Sequence, residues 1–447
     1  MPRTSWSFLA ALLLLAGTVT AAPPNPPGAD RINARIAHDV QWFRSTLQSS
    51  KCPAAADALE AAARSWSDDP SRSGDEEERA WQVSKKAVKA GCDDARVLYV
   101  YARMYDSAAK ETAEESTRLA RAAAAALDRS DARAMLKVMG HVRAAQRIIA
   151  EARAKKANSA PGAAEQLDAA ATQWLEAAKD PDIPQTYLAD AFQAYLDSRR
   201  DLVQDRRTYA TPILEAFAKK PALQQLLRAR LAIDLAWDAR GNRSIDKTSD
   251  TAQKVFASRL GEAETETLKL AKLDPTSAVV GPFMLAVLLG TECDRATLDA
   301  WFRYALTLDP GSSDPWFARL HHLEPRWHGS AEEMIEVGRE ALATKQFAYR
   351  VPFVLVFAHQ QLADDDPSHF DDPAVCRDVR AVFDPYLKEH PDALYERSGY
   401  AYFLYRCEDF TGANREIKRL GSERRLGPFQ TKAAFDKIKV EAALNAH

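Results

Sequence analysis

One phrase, an amphipathic helix closed by Asp-Pro, occurs twice at a spacing that leaves few folds open. Leu268 to Pro275 (LKLAKLDP) is echoed by Phe302 to Pro310 (FRYALTLDP), with Pro275 and Pro310 35 positions apart. Proline has no amide hydrogen and its ring clashes with the preceding turn, so each phrase ends its helix there. Helix, stop and second helix, recurring at roughly 34 residues, is the tetratricopeptide period. The spacing predicts an all-α fold, a tetratricopeptide-like solenoid of helical hairpins in two sections.

Composition agrees with this. Glycine is scarce at 17 of 447 residues, which argues against Rossmann, P-loop and nucleophile-elbow folds that spend glycines on close backbone approach. Alanine runs such as Ala122 to Ala126 suit helices. The formal net charge of −3 is spread as alternating acidic and basic residues, without the basic block of a nucleic-acid binder. After Arg3, the apolar run from Trp6 to Gly17 is too short to span a bilayer, and Val19-Thr20-Ala21 offers small residues for a signal peptidase. Residues 1–22 are expected to be a cleaved signal peptide. No cysteine sits near the cut to carry a lipid. Residues 23–30, opening on Pro23-Pro24-Asn25-Pro26-Pro27, read as a stiff lead-in. No later stretch has the apolarity of a membrane span. A periplasmic or secreted location is expected.

Along the mature chain, residues 31–154 read as an N-terminal section of helical hairpins. Ala56, Leu59, Ala63 and Trp66 share one face, and Val97, Tyr101 and Tyr105 recur at four-residue intervals. Residues 155–205 read as a linker with long helices. It opens on Lys155-Lys156-Ala157-Asn158-Ser159-Ala160-Pro161-Gly162, breaks again at Lys179 to Pro184, and continues in a helix at 185–205, with a further long helix read at 212–240 beyond it. Residues 206–447 form the C-terminal tetratricopeptide-like section. Its pairs are 256–273 with 278–289, 294–308 with 315–323, 330–344 with 351–363, and 373–388 with 393–407. A helix at 409–420 and a capping tail helix within 427–443 follow. Ala401, Leu404, Ala413 and Ile417 take the packing positions of a repeat hairpin.

None of the five cysteines forms a C-x-x-C pair, which removes zinc-ribbon and thioredoxin readings. Export favours disulfides. Cys376 and Cys407 are equidistant from the turn at His390-Pro391-Asp392, and Cys52 and Cys92 are equidistant from a polar loop near residue 72. Antiparallel hairpins folded at those turns bring the cysteines face to face. The expected disulfides are Cys52–Cys92 and Cys376–Cys407, each closing the open end of a hairpin and stabilising it by about 2–4 kcal/mol. The other reading is buried thiols packed as small hydrophobes. Cys293 is left over.

Three further phrases stand in order: Leu235 to Gly241 (LAWDARG), Cys293 to Phe302 (CDRATLDAWF) and Leu323 to Ser330 (LEPRWHGS). Over about residues 225–345 the chain resembles an uncharacterised bacterial family of tetratricopeptide-like proteins, a domain of unknown function with A-W-x-A-R-G, W-D-R-A-E-x-D-A-L-F and L-x-P-K/R-W-x-G-S phrases. The resemblance implies the fold and no activity. Cys293 stands where that family has tryptophan, and His321, His322 and His328 replace mostly aromatic or aliphatic residues.

The Pro325 to Ser330 turn explains itself structurally: Pro325 stops a helix, Gly329 turns, and Ser330-Ala331-Glu332-Glu333 opens the next helix as a capping box. Its functional reading makes Arg326 an anion clamp and Trp327 a stacking platform. Trp237, Arg240 and Trp301 join them as candidate partner-binding residues. A metal reading of His321, His322, Glu324 and His328 fails on spacing, since adjacent helical residues point about 100° apart. Asp364 to Asp366 with Asp371 and Asp372 lack the register of a calcium loop and read as caps. Ser330 has no G-x-S-x-G frame. No catalytic residue, metal or cofactor is expected. The sequence reading is an exported helical-repeat scaffold binding a protein or peptide partner in the bacterial cell envelope, with no nucleic acid and no integral membrane span. Its rivals are a hydrolase-like envelope enzyme and a small-molecule-binding module, each sited near Arg326 and Trp327.

Overall fold

In the computed structural model the described residues are 21–48, 52–67, 75–105, 113–200, 202, 205–241, 249–421, 427–429 and 431–446. Among them lie twenty α-helices, several short 3-10 turns and no β-strand. The expected all-α architecture of helical hairpins is what the chain adopts. Residues 1–20, most of the expected signal peptide, lie outside the described residues, as does the centre of the loop near residue 72.

The chain divides into two compact units, each made of two stretches: residues up to Arg35 with Ala178–Gly329, and Ile36–Ala177 with Ser330–His447. The first unit contains α8 (Gln185–Arg200), α9 (Arg206–Ala216), α10 (Pro221–Arg240), α11 (Asp250–Leu273), α12 (Val280–Leu289), α13 (Arg295–Leu308) and α14 (Asp314–His322). The second contains most of α1 (Ala29–Leu47), then α2 (Ala56–Trp66), α3 (Glu76–Lys89), α4 (Ala95–Met104), α5 (Ala113–Asp128), α6 (Ala134–Ala154) and α7 (Ala163–Ala177). It continues with α15 (Ala331–Ala343), α16 (Phe353–Asp365), α17 (Pro373–Glu389), α18 (Leu394–Arg406), α19 (Phe410–Leu420) and α20 (Lys432–Leu444). The anticipated linker at 155–162 is only the turn between α6 and α7, which pack on each other inside the second unit. The break at Lys179 to Pro184 is the one that follows a unit division.

Local stop and start signals account for the helix bounds. In the first unit α11–α12 and α13–α14 match the pairs read from the Asp-Pro phrases. Asp274 and Asp309 leave the helical region at φ −138° and −140°, as a residue before proline must. Residues 212–240 do not form the single helix expected. Pro221 opens α10 at its first turn, and Lys220 before it is extended at φ −126° and ψ 78°, so α9 ends near Phe217. The buried Arg206 guanidinium ties these helices together. It reaches Asp238 at 2.5 Å and Asp197 at 2.9 Å, and these carboxylates outweigh its burial, so its pKa rises above the ordinary range. Asp238 belongs to the LAWDARG phrase.

The core of the first unit centres on α12, apolar on every side, with Met284, Val287 and Leu288 fully buried beside Trp301 and Leu308. At Gly281 a β-carbon would lie 2.3 Å from Ala305 Cβ and 2.6 Å from Ala305 Cα, so α12 and α13 cross almost backbone to backbone.

In the second unit, Cys52 and Cys92 lie at disulfide distance, as do Cys376 and Cys407, with Cα separations of 6.1 and 5.8 Å. Cys52 precedes α2 and Cys92 follows α3; Cys376 opens α17 and Cys407 closes α18. Ala401, Leu404, Ala413 and Ile417 are buried between α17, α18, α19 and α20, and α20 covers α19 with Phe435, Ile438 and Ala442. Arg350, in the turn after α15, pairs with Glu396 of α18 and Glu77 of α3, joining the two stretches of this unit.

Two glycine substitutions test this packing with opposite signs. Gly281→Ala should cost about 1–3 kcal/mol through overpacking against Ala305. Gly261→Ala, on an exposed stretch of α11 with nothing within 4 Å, should stabilise by about 0.5–1 kcal/mol. Urea denaturation midpoints of the two variants against the parent check both.

Candidate functional site

The C-terminal end of α10 and the turn after α14 build one cluster in the first unit. Trp237 stands on the last turn of α10. That helix ends at Gly241, whose φ of 69° is left-handed and whose amide donates to the Trp237 carbonyl at 3.1 Å. After α14 the chain folds tightly: Trp327 N donates to Glu324 O at 2.8 Å and His328 N to His322 O at 3.2 Å. Gly329 closes the turn against Leu323, where a β-carbon would sit 2.2 Å from the Leu323 carbonyl oxygen. Only glycine fits there. Ser330 Oγ then accepts from Glu333 N at 3.2 Å and starts α15, as the capping-box reading requires.

The rings meet above this turn. Trp327 lies edge-to-face with Trp237 at 5.9 Å and with His321 at 5.8 Å, and Trp237 packs edge-on to Phe256 of α11 at 5.2 Å. Arg240 lays its guanidinium over Trp327 at 4.6 Å and over Trp237 at 5.8 Å. No carboxylate among the described residues pairs with Arg240. Burial, and secondarily the like charge of Arg326, push its pKa below the ordinary range. The buried Trp327 Nε1 has no hydrogen-bond partner among the described residues. Both tryptophans and Arg240 remain partly exposed. The result is a half-open aromatic platform carrying a cation that no carboxylate among the described residues neutralises, suited to stacking and anion contact.

The sequence candidates are redistributed. Trp237, Arg240 and Trp327 converge. Arg326 is 65% exposed, and its Nε is 2.5 Å from Glu324, a buried carboxylate that also takes the His321 ring nitrogen, so its charge is already answered. Trp301 does not reach the cluster. It is fully buried, edge-on to Tyr304 at 5.5 Å. Phe256 and His321 complete the cluster without having been candidates for it; only their approach across helices reveals them.

Behind the platform, His321 and His322 point apart as helical geometry demands. His322 is buried, stacks on His328 at 4.4 Å and lies 3.9 Å from Cys293 Sγ. His328 Nε2 donates to the Leu289 carbonyl, and Arg295 donates to the His328 carbonyl at 2.6 Å. No group of three His, Cys, Asp or Glu among the described residues is disposed to hold a metal. The Cys293–His322 pair invites comparison with a nucleophilic dyad, but its protonation is opposite. Burial, with Asp294, pushes the thiol up to about 11. Burial, with His328, Arg295 and His321, takes the imidazole down to about 3. Both stay neutral, so no thiolate–imidazolium pair forms. Ser330 is spent as a cap. In the second unit Asp366 and Asp372 likewise cap a 3-10 turn and α17.

No family profile matches the chain, and no curated protein does. Among the solved structures similar to this chain are two very distant ones. One is described as a circular tandem repeat protein with novel repeat topology and enhanced subunit contact surfaces, at 14% identity and TM-score 0.27, covering 93% of this chain and 96% of that one. The other is the structure of Naa15/Naa10 bound to HypK-THB, at 13% identity and TM-score 0.23, covering 93% and 74%.

Two outcomes follow from the buried Cys293–His322 pair. Cys293, the free cysteine beside two disulfides, should react with iodoacetamide at pH 8 roughly a hundredfold more slowly than an unperturbed thiol, as mass spectrometry of the folded protein would show. The second outcome concerns acid stability. Because folding lowers the His322 pKa from 6.5 to about 3, the unfolded chain takes up a proton that the folded one refuses. The stabilisation is complete above pH 6.5 and is lost as pH falls toward 3. Between pH 7.5 and 5 the parent should lose roughly 2 kcal/mol more than a His322→Gln variant in chemical denaturation.

Proposed function

We propose that this protein is an exported helical-repeat scaffold that binds a protein or peptide partner in the bacterial cell envelope, through the surface formed by Trp237, Arg240 and Trp327. The observation that carries this reading is the Arg240 guanidinium, stacked on two half-open tryptophans with no carboxylate among the described residues to neutralise it. Arginine and tryptophan dominate the energetics of interfaces because they offer large rigid area together with polar reach. Stacked helical hairpins present such surfaces to a partner segment.

Export is supported by the small-residue pattern after the N-terminal apolar run and by two disulfides that a reducing compartment would disfavour. No helix among the described residues is long and apolar enough to cross a membrane. Two of the three sequence phrases build the surface: LAWDARG and LEPRWHGS supply the two tryptophans and Arg240, while Arg295 of CDRATLDAWF holds the turn through the His328 carbonyl.

The test is affinity capture of the mature, oxidised protein from envelope extract, identified by mass spectrometry and quantified against an Arg240→Ala/Trp327→Ala variant of parental circular dichroism. A stoichiometric partner should be captured by the parent, and its affinity should fall at least about tenfold in the variant. Equal capture by both forms would remove the surface from the reading. Capture by neither would remove the scaffold itself.

A further inference from the structure

The second unit carries a cleft of about 710 Å³ between α17, α18 and α19, its charged lining made of Asp384, Lys388, Arg397, Arg415, Glu416 and Arg419. Its lining holds four cations and two carboxylates, a surplus of two positive charges. Glu416, 2% exposed, organises the floor. One of its oxygens accepts from Arg397 at 2.5 Å, and the other from Arg415 at 3.0 Å and Arg419 at 2.8 Å. Arg397 is itself buried and spends a second nitrogen on the Pro391 carbonyl at 2.7 Å. Asp384 is occupied by the Tyr400 hydroxyl at 2.6 Å.

The cations at the mouth are less spent. Arg415 and Arg419 stand 52% and 58% exposed, and each gives Glu416 one contact out of the five N–H donors a guanidinium carries. Lys388 is exposed and makes no ion pair among the described residues. Glu416 therefore splays two half-spent guanidinium forks outward, while its own charge is overcompensated by three arginines. Guanidinium forks match the oxygens of carboxylate and phosphate groups in paired contacts. A single charge meeting exposed cations gains little in water, so a ligand with two or more negative charges is what the surplus favours. The volume lies within the range of small-molecule sites, roughly 300–1,000 Å³.

We propose that this cleft is a binding site for a small oligovalent anion bearing carboxylate or phosphate groups, held by Arg415, Arg419 and Lys388 on the Arg397–Glu416 floor. The site stands independently of the tryptophan platform in the first unit.

Isothermal titration calorimetry of the full mature chain tests it with citrate and with pyrophosphate, each matched by sodium chloride of equal ionic strength. Saturable binding of at least one anion is expected, with a Kd under about 1 mM. Tighter citrate binding assigns carboxylate chemistry, and tighter pyrophosphate binding assigns phosphate. Arg415→Gln/Arg419→Gln should weaken binding at least about tenfold, since each lost fork contact to an anion is a charge-assisted hydrogen bond. If the double variant loses its fold, Lys388→Gln and Arg419→Gln, both on exposed side chains, carry the same comparison. The Arg240→Ala/Trp327→Ala variant should bind the anion as the parent does, which separates this site from the partner surface. No saturable binding of either anion up to about 10 mM, or equal binding by parent and folded cleft variants, overturns the proposal.

Discussion

Most helices of this chain are too short to stand alone, and that constraint shapes everything else. α14 has nine residues, and α4 and α12 have ten. Isolated helices shorter than about 12–15 residues are marginal in water, so each persists by burying a face on its neighbours. Close approach is what makes that burial efficient. Gly281 meets Ala305 backbone to backbone, and Ala120, Ala124 and Ala144 bring α5 and α6 together in the second unit. Scarce glycine and abundant alanine are thus two sides of one requirement. Helices stay regular, and large side chains are withheld where axes cross.

Packing of this density leaves little room for charge, and the charges that are buried come in groups. Arg206 is held by aspartates of α8 and α10, Arg397 by Glu416, and Glu324 by His321 and Arg326. Such pairs add little net stability, but removing one partner leaves a buried charge and costs several kcal/mol. Their larger consequence here is local. By neutralising Arg326, Glu324 leaves Arg240 as the cation of the tryptophan cluster that no carboxylate among the described residues compensates. By recruiting three arginines around one carboxylate, Glu416 does the reverse and leaves a positive excess at the mouth of its cleft. In both places a buried glutamate decides which arginines remain for a ligand.

The same burial explains why the histidines and the spare cysteine read so ambiguously in the sequence. His321, His322, Glu324 and His328 are adjacent in the chain, yet they face two different environments. One side serves the Glu324 ion pair, and the other a buried, neutral stack against Cys293. In the sequence the histidines tempted a metal reading that their spacing opposed, and Cys293 was left over. Desolvation holds its thiol and the His322 imidazole neutral, the states that a nucleophilic pair does not use.

Helix boundaries, hairpin pairing and both cysteine pairs were written in the sequence, because each depends on local signals: proline stops, N-caps, and a turn midway between two cysteines. The one long helix expected across 212–240 shows the limit of that reading, since periodicity on both sides masked the proline at 221. Tertiary structure alone decided that the chain up to Arg35 joins Ala178–Gly329 while Ser330 onward joins the N-terminal helices. It alone decided that Trp301 is core and Trp327 half-open, that Arg326 is answered by Glu324 while Arg240 lies over the two tryptophans, and that three helices leave a cationic cleft. Those outcomes depend on which side chains lie across a helix interface, often dozens of residues away along the chain. Local propensity and spacing act over a few turns of helix and do not reach that far.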